Sequence, residues 1–244
     1  MASLDSQLAR LLATLPDLPR WAELRSVLIA GSALVLGSPE ACVVVAGGED
    51  VAPVIFVVGL PQCDLLAQAS ERAPGADVLL VPESRAHLEG LARIAATRIV
   101  VHTRSSHEPI ASLRTARIVE RLTPGDLRDL PDDLRAELVS ANQTVPISVA
   151  YAAERPVAFS YAGAITETLW DVSIDTVPDL RRSGYATAAV AALVAYMGER
   201  GRAPMWCAAE DNPASMRLAR KLGFRGVDEL FLLPASAFSA GSGN

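Results

Sequence analysis

The stretch Leu169–Val177, LWDVSIDTV, alternates polar and apolar side chains and reads as a strand with two unlike faces. It passes through the short connection PDLRRS into an apolar helix that opens at about Gly184 and ends near Gly198. A strand at Pro204–Ala208, a helix at Pro213–Leu222 and a strand at Val227–Leu233 follow. The same alternation occurs earlier: VIFVV at Val54–Val58, a helix over Gln62–Arg72, VLLV at Val78–Val81, a helix over Arg85–Ala95, and RIVVH at Arg98–His102. Strands interleaved with helices in this way define an α/β layer architecture.

The flanking segments fit that class. Leu4, Leu8, Leu11, Leu12 and Leu15 have the spacing of an amphipathic helix, and a second helix is expected over Trp21–Leu28. Ala33–Leu36 and Cys42–Ala46 are short β-like runs. The polar stretch RSSHEPI at Arg104–Ile110 marks a boundary at about residue 112, giving an N-terminal lobe, 1–112, and a C-terminal lobe, 113–244. In the second lobe a strand is expected at Ala116–Arg121, then a helix capped by Thr123 with Pro124 as its first residue. Ile147–Tyr151 and Val157–Tyr161, joined by AAERP, read as a hairpin. The tail PASAFSAGSGN is expected to fray.

Composition decides what such a fold is for only by exclusion. Half of the 244 residues are apolar, which is incompatible with a disordered chain. A net charge of −6 argues against nucleic acid or an anionic membrane as partner. Cys42, Cys63 and Cys207 are odd in number and widely spaced, so neither a disulfide framework nor a zinc cluster is expected. With no apolar run of membrane-spanning length and no secretory pattern at the start, a cytoplasmic setting is the expectation. No metal site is expected. The histidines His87, His102 and His107 show no ligand spacing and read as incidental.

The corner at Arg181–Thr187, RRSGYAT, has anion-binding character. Helix N-termini carry unpaired N–H groups and partial positive charge. Gly184 and Ala186 are small where a ligand needs close approach to the backbone, and Arg181 and Arg182 add cationic charge. On its own, R-x-x-G-x-A also fits an ordinary corner with exposed arginines. Downstream, Asn212 fits a helix N-cap, Pro213 the first helical position and Gly223 the stop.

Three elements in order, the strand ending IDTVPD, then RRSGYA, then NPASMRLARKLGF, resemble the GNAT superfamily of acyl-CoA-dependent N-acyltransferases over about residues 116–235. The resemblance implies a mixed sheet whose two central parallel strands splay apart, with acetyl-CoA as co-substrate and an amine as acceptor. Carried over by position, Ile174, Asp175 and Thr176 would offer backbone to the pantetheine arm. The N–H groups of Arg182, Ser183, Gly184, Tyr185, Ala186 and Thr187, beside Arg181, would cradle the diphosphate. Asn212 would touch the pantetheine or act as a pure cap.

Transfer to an amine needs a base, a polarised thioester and a proton for the thiolate. Glu167, Asp171 and Asp175 are the carboxylates on or beside the strand; Asp171 is the first choice as base and Glu167 the second. Strand parity puts Asp171, Ser173 and Asp175 on one face. Many relatives carry a tyrosine seven residues after the asparagine as proton donor; Ala219 stands there, leaving Ser215, Tyr185 or water. Trp170 and Trp206 are expected in the core or the cleft wall, and Cys207 as a small buried apolar group. The first lobe has two readings: a degenerate copy of the same fold, with Gly59–Gln62 in place of the phosphate loop and Pro61 lacking an N–H, or an unrelated α/β lobe. Functionally, an N-acetyltransferase is set against an acyl-CoA-binding module that has lost catalysis. The acceptor is not legible, and a homodimer is allowed for.

Overall fold

The runs of β-branched residues at Cys42–Ala46 and Val54–Val58 are too short for helices and too apolar for an exposed edge, so they pair with each other. In the computed structural model, which describes residues 2–48, 51–88, 95–105, 108–144 and 146–235, β1 (Ala33–Ser38), β2 (Ala41–Gly48) and β3 (Val51–Val58) form an antiparallel meander. α1 (Ala2–Thr14) and α2 (Ala22–Ala30) precede it; α3 (Cys63–Arg72), β4 (Asp77–Leu80), α4 (Pro82–His87) and β5 (Thr97–Thr103) follow. The remaining elements are β6 (Ala116–Val119), α5 (Pro124–Leu127), α6 (Asp132–Thr144), β7 (Ile147–Ala152), β8 (Arg155–Ile165), β9 (Leu169–Thr176), α7 (Tyr185–Gly198), β10 (Ala203–Ala209), α8 (Pro213–Lys221) and β11 (Arg225–Leu233). The helix expected over 85–95 instead spans Pro82–His87 and ends at Leu88, whose backbone is not helical; residues 89–94, His107 and the tail beyond 235 lie outside the described residues. Among the described residues no helix is long and apolar enough to cross a membrane.

The chain forms two compact units. Unit 1 takes Met1–Val101, Ala208–Met216 and Gly226–Asn244; unit 2 takes His102–Cys207 and Arg217–Arg225. One cut near residue 112 does not separate them, because the last strand of the chain is built into unit 1. There the strand order is β1-β2-β3-β4-β11-β5. β11 pairs antiparallel with β4 through Phe231, Leu232 and Leu233. A bidentate ion pair ties it to the start of the chain: Arg20 donates from Nε to Asp228 Oδ2 at 2.6 Å and from Nη2 to Oδ1 at 2.7 Å. The core of unit 1 gathers Val43, Ile55 and Val57 with Leu66, Val78, Leu80 and Leu233.

Unit 2 has the order β10-β9-β8-β7-β6. β7 and β8 form the expected hairpin, turning at Ala153 and Glu154. α7 is apolar almost all round and packs across β6, β7, β8 and β9. α5 opens with a capping box, Thr123 Oγ1 accepting the Asp126 N–H and Asp126 Oδ2 accepting the Thr123 N–H. α6 was not expected: its apolar stripe is only Leu134 and Leu138, both buried, on an otherwise polar segment.

Among the described pairings, each unit has a short parallel pair. β3 and β4 pair at Val54↔Asp77, Ile55↔Val78 and Phe56↔Leu79; β9 and β10 pair at Leu169↔Ala203, Trp170↔Pro204 and Asp171↔Met205. In unit 2 pairing stops well before the strands end, whereas the β3–β4 pairing runs to Leu79, next to the last residue of β4. The shared order of strand, helix, strand, helix, strand favours the degenerate copy over an unrelated first lobe.

Candidate functional site

In unit 2 the ladder between β9 and β10 ends at Asp171 and Met205. From Val172 to Thr176 the described pairing of β9 is with β8 alone, so its other edge offers free backbone groups. Ile174, Asp175 and Thr176 lie on this unpaired stretch. Asp171 sits where the strands part, and its Oδ1 accepts the Cys207 N–H at 3.0 Å. A side chain therefore takes the place of the next rung. Trp170 and Trp206 are both fully buried, Trp206 edge-on to Phe224 with centroids 5.3 Å apart. They belong to the core. Cys207 is half-buried, more open than a core cysteine.

The C-terminal end of β9 leads through a single helical turn at Pro178–Leu180 to Arg181–Gly184. Arg182 has φ 63°, a left-handed conformation that costs a non-glycine residue about 1–2 kcal/mol. Gly184, at φ 88° and ψ −2°, is the N-cap of α7 and carries no side chain to satisfy the helix. The first described helical bond is Ala188 N–H to the Gly184 carbonyl at 3.2 Å. The N–H groups of Tyr185, Ala186 and Thr187 therefore open the helix without an intrahelical acceptor. Arg181 and Arg182 are exposed, and Arg181 Nε donates to the Thr176 carbonyl at 3.3 Å. A third guanidinium, Arg114, reaches the corner from the segment before β6, donating from Nε to the Ser183 carbonyl at 2.7 Å.

Unit 1 presents the opposite case at the equivalent corner. A Cβ on Gly59 would lie 2.0 Å from the Glu40 carbonyl oxygen, so the turn is pressed against backbone. Pro61 has no N–H to give. The Gly59 carbonyl is occupied by Ser84 Oγ at 2.7 Å. This corner is built as packing.

On one face of β9, a Cβ added to Gly163 would meet Ser173 Oγ at 3.0 Å and Asp171 Oδ2 at 3.6 Å, so these two side chains share a side. Asp175, two positions on, joins them: Tyr161 Oη lies 3.2 Å from its Oδ2. The same phenol donates to Glu137 Oε1 on α6. One phenolic hydrogen serves two carboxylates, an arrangement that favours binding one further proton. Burial pushes the Asp175 carboxyl above the ordinary aspartate range, and the charge of Glu137 adds to this. The Tyr161 hydroxyl and Arg181 pull it back, and Asp133 raises it again. Burial likewise pushes the Tyr161 phenol up, with Glu137 and Asp175 adding.

The folded chain holds more protons than the unfolded chain between the ordinary aspartate value of about 3.9 and the raised Asp175 value, so this group lowers stability as pH rises through that window. Asp175→Asn removes the penalty while still accepting from Tyr161. Its melting temperature is expected to exceed wild type at pH 8, with the gain disappearing toward pH 4. A constant difference across that range would contradict the assignment.

Glu167 lies in the exposed turn before β9, beside the end where β9 and β10 remain paired, so it is not brought to the parting of the strands. Asn212 caps α8 through its Oδ1, which accepts the Ser215 N–H at 3.1 Å. Ala219 is fully buried and accepts the Phe224 N–H at 3.0 Å, so its position faces the core. His102 is buried, with Nδ1 3.2 Å from the Trp206 carbonyl. The groups that sequence reasoning missed are Arg114, Glu137 and Tyr161.

A splayed parallel pair, with an uncapped helix opening just past the first strand, has known counterparts. Residues 148–232, in the C-terminal half of the chain, match the family model of the GNAT acetyltransferases. The fold of nearly the whole chain is shared with solved GNAT structures. A GCN5-related N-acetyltransferase-like protein from Streptococcus suis superposes with a TM-score of 0.63 at 20% identity, over 96% of this chain and 99% of that one. A GCN5-related N-acetyltransferase from Kribbella flavida gives a TM-score of 0.64 at 16% identity, over 88% and 93%. A tandem GNAT protein from the clavulanic acid biosynthesis pathway gives 0.61 at 14% identity, over 96% and 95%. At these identities the likeness is one of fold. A sequence search of curated proteins finds no match.

Proposed function

We propose that the chain is an acyl-CoA-dependent N-acyltransferase, with acetyl-CoA as the simplest donor and an amine of a small molecule or an exposed amino group as acceptor. The observation that carries this reading is the early end of the β9–β10 ladder, with an uncapped helix N-terminus just past the end of β9. The free edge of β9 at Ile174–Thr176 suits the amide-bearing pantetheine arm. The N–H groups from Arg182 to Thr187 suit the diphosphate. Asn212 serves first as a cap.

In the reaction the amine nitrogen attacks the thioester carbon, the carbon–sulfur bond breaks and the thiolate leaves. The nitrogen gives up a proton to a carboxylate, directly or through water. Asp171, held at the parting of the strands by the Cys207 N–H, is the proposed base. Glu167, in the turn before β9, is the second choice and would act through water. The leaving thiolate takes its proton from solvent: Ala219 offers none, and Tyr185 stands at the diphosphate end of the site under Arg114.

The buried Ala219 favours a second reading, an acyl-CoA-binding module without turnover. Thiol release from acetyl-CoA against a panel of primary amines separates the two. Amine-dependent release is the expected result. Saturable CoA binding with no release on any amine would establish the second reading.

A further inference from the structure

Arg114 belongs to no matched motif and is separated from the loop by 69 positions in the chain, yet it is fixed at the mouth of the corner. Its backbone is held by a turn in which Ser112 Oγ donates to the Arg114 carbonyl at 2.9 Å and lies 3.2 Å from the Arg114 N–H. Its guanidinium stands over the Tyr185 ring, 4.1 Å from the centroid. Its Nε is spent on the Ser183 carbonyl. A Cβ built on Gly184 would lie 3.9 Å from the Arg114 Cδ and Nε, so the side chain borders the open N-terminus of α7.

Two consequences follow from guanidinium chemistry. With Nε occupied, the Nη1 and Nη2 groups keep four N–H donors, and no described residue accepts from them. The stack and the carbonyl bond also remove most of the rotamer freedom a surface arginine would otherwise lose on binding a ligand. Tethering the loop would need only a neutral donor. A full positive charge held rigid, with its fork free, beside three open backbone N–H groups is suited to a doubly charged anion.

We infer that Arg114 is a ligand-binding residue whose Nη groups donate to the diphosphate of the acyl-CoA, making it the third guanidinium of the corner with Arg181 and Arg182. This rests on the acyl-CoA reading and extends it, because the segment before β6 then contributes to donor recognition.

The test is calorimetry on the full chain with CoA, dephospho-CoA and pantetheine, at low and high salt. Arg114→Ala is expected to weaken CoA and dephospho-CoA alike, by about tenfold or more at low salt. It should leave pantetheine unaffected and flatten the salt dependence. Arg114→Lys keeps the charge and is expected to retain the salt dependence; Arg114→Gln keeps a donor and is expected to lose it. Unchanged CoA affinity in Arg114→Ala overturns the inference. Loss for CoA with none for dephospho-CoA moves the contact to the 3′-phosphate and overturns it as stated. Equal loss for pantetheine makes the residue a loop tether and overturns it too. If the wild-type chain binds none of the three, the acyl-CoA reading itself fails.

Discussion

Ala186→Asp should hold or raise the melting temperature of the chain while removing its affinity for coenzyme A. Ala186 is the second residue of α7, after the Gly184 cap and Tyr185, in the turn whose N–H groups lack intrahelical acceptors. A carboxylate there interacts favourably with the helix dipole, by about 0.3–1 kcal/mol. The same carboxylate opposes a bound diphosphate. Two like charges about 4 Å apart at the effective dielectric of a surface site repel by about 4 kcal/mol. That corresponds to roughly a thousandfold in Kd, and somewhat less in salt. Few substitutions move stability and binding in opposite directions, so the pair of measurements separates a lost site from a lost fold. A variant that melts as wild type and still binds CoA would show that the anion is held elsewhere.

The second large effect is expected at Asp171. Asp171→Asn keeps an oxygen to accept the Cys207 N–H, so the parting of β9 and β10 is preserved. What it loses is a group able to take the proton from the attacking nitrogen. The turnover rate should fall by about 10²–10⁴-fold, with CoA affinity unchanged. Asp171→Ala should lose the rate and also about 1–3 kcal/mol of stability, because the Cys207 N–H is left without its acceptor. The contrast between the two variants is itself informative. If Asp171→Asn turns over normally, the base is another group on that face, and Asp175 with its shared phenol is next to test.

What could be read in the sequence was whatever depends on near neighbours in the chain. The alternation in LWDVSIDTV, the run into Gly184 and the cap at Asn212 are local signals, and β9, α7, β10 and α8 lie close to where they point. The site beyond these elements was not legible because it depends on long-range contacts. Arg114 meets Ser183 only because β6 is laid into the same sheet as β9. Glu137 meets Tyr161 only because α6 packs on β8, and α6 was obscured by its narrow apolar stripe. β11 reads as the end of the second lobe yet pairs with β4 in unit 1, since pairing partners far apart in sequence leave no mark in periodicity. Parity grouped Asp171, Ser173 and Asp175. It took the hydrogen bond to Cys207 to show that Asp171 also fastens the two strands where they part.

The most direct measurement is a calorimetric titration of coenzyme A into the full chain and into Ala186→Asp. The account predicts saturable binding of one molecule per wild-type chain and none to the variant. No heat with the wild-type chain, or the same isotherm for both, would contradict it.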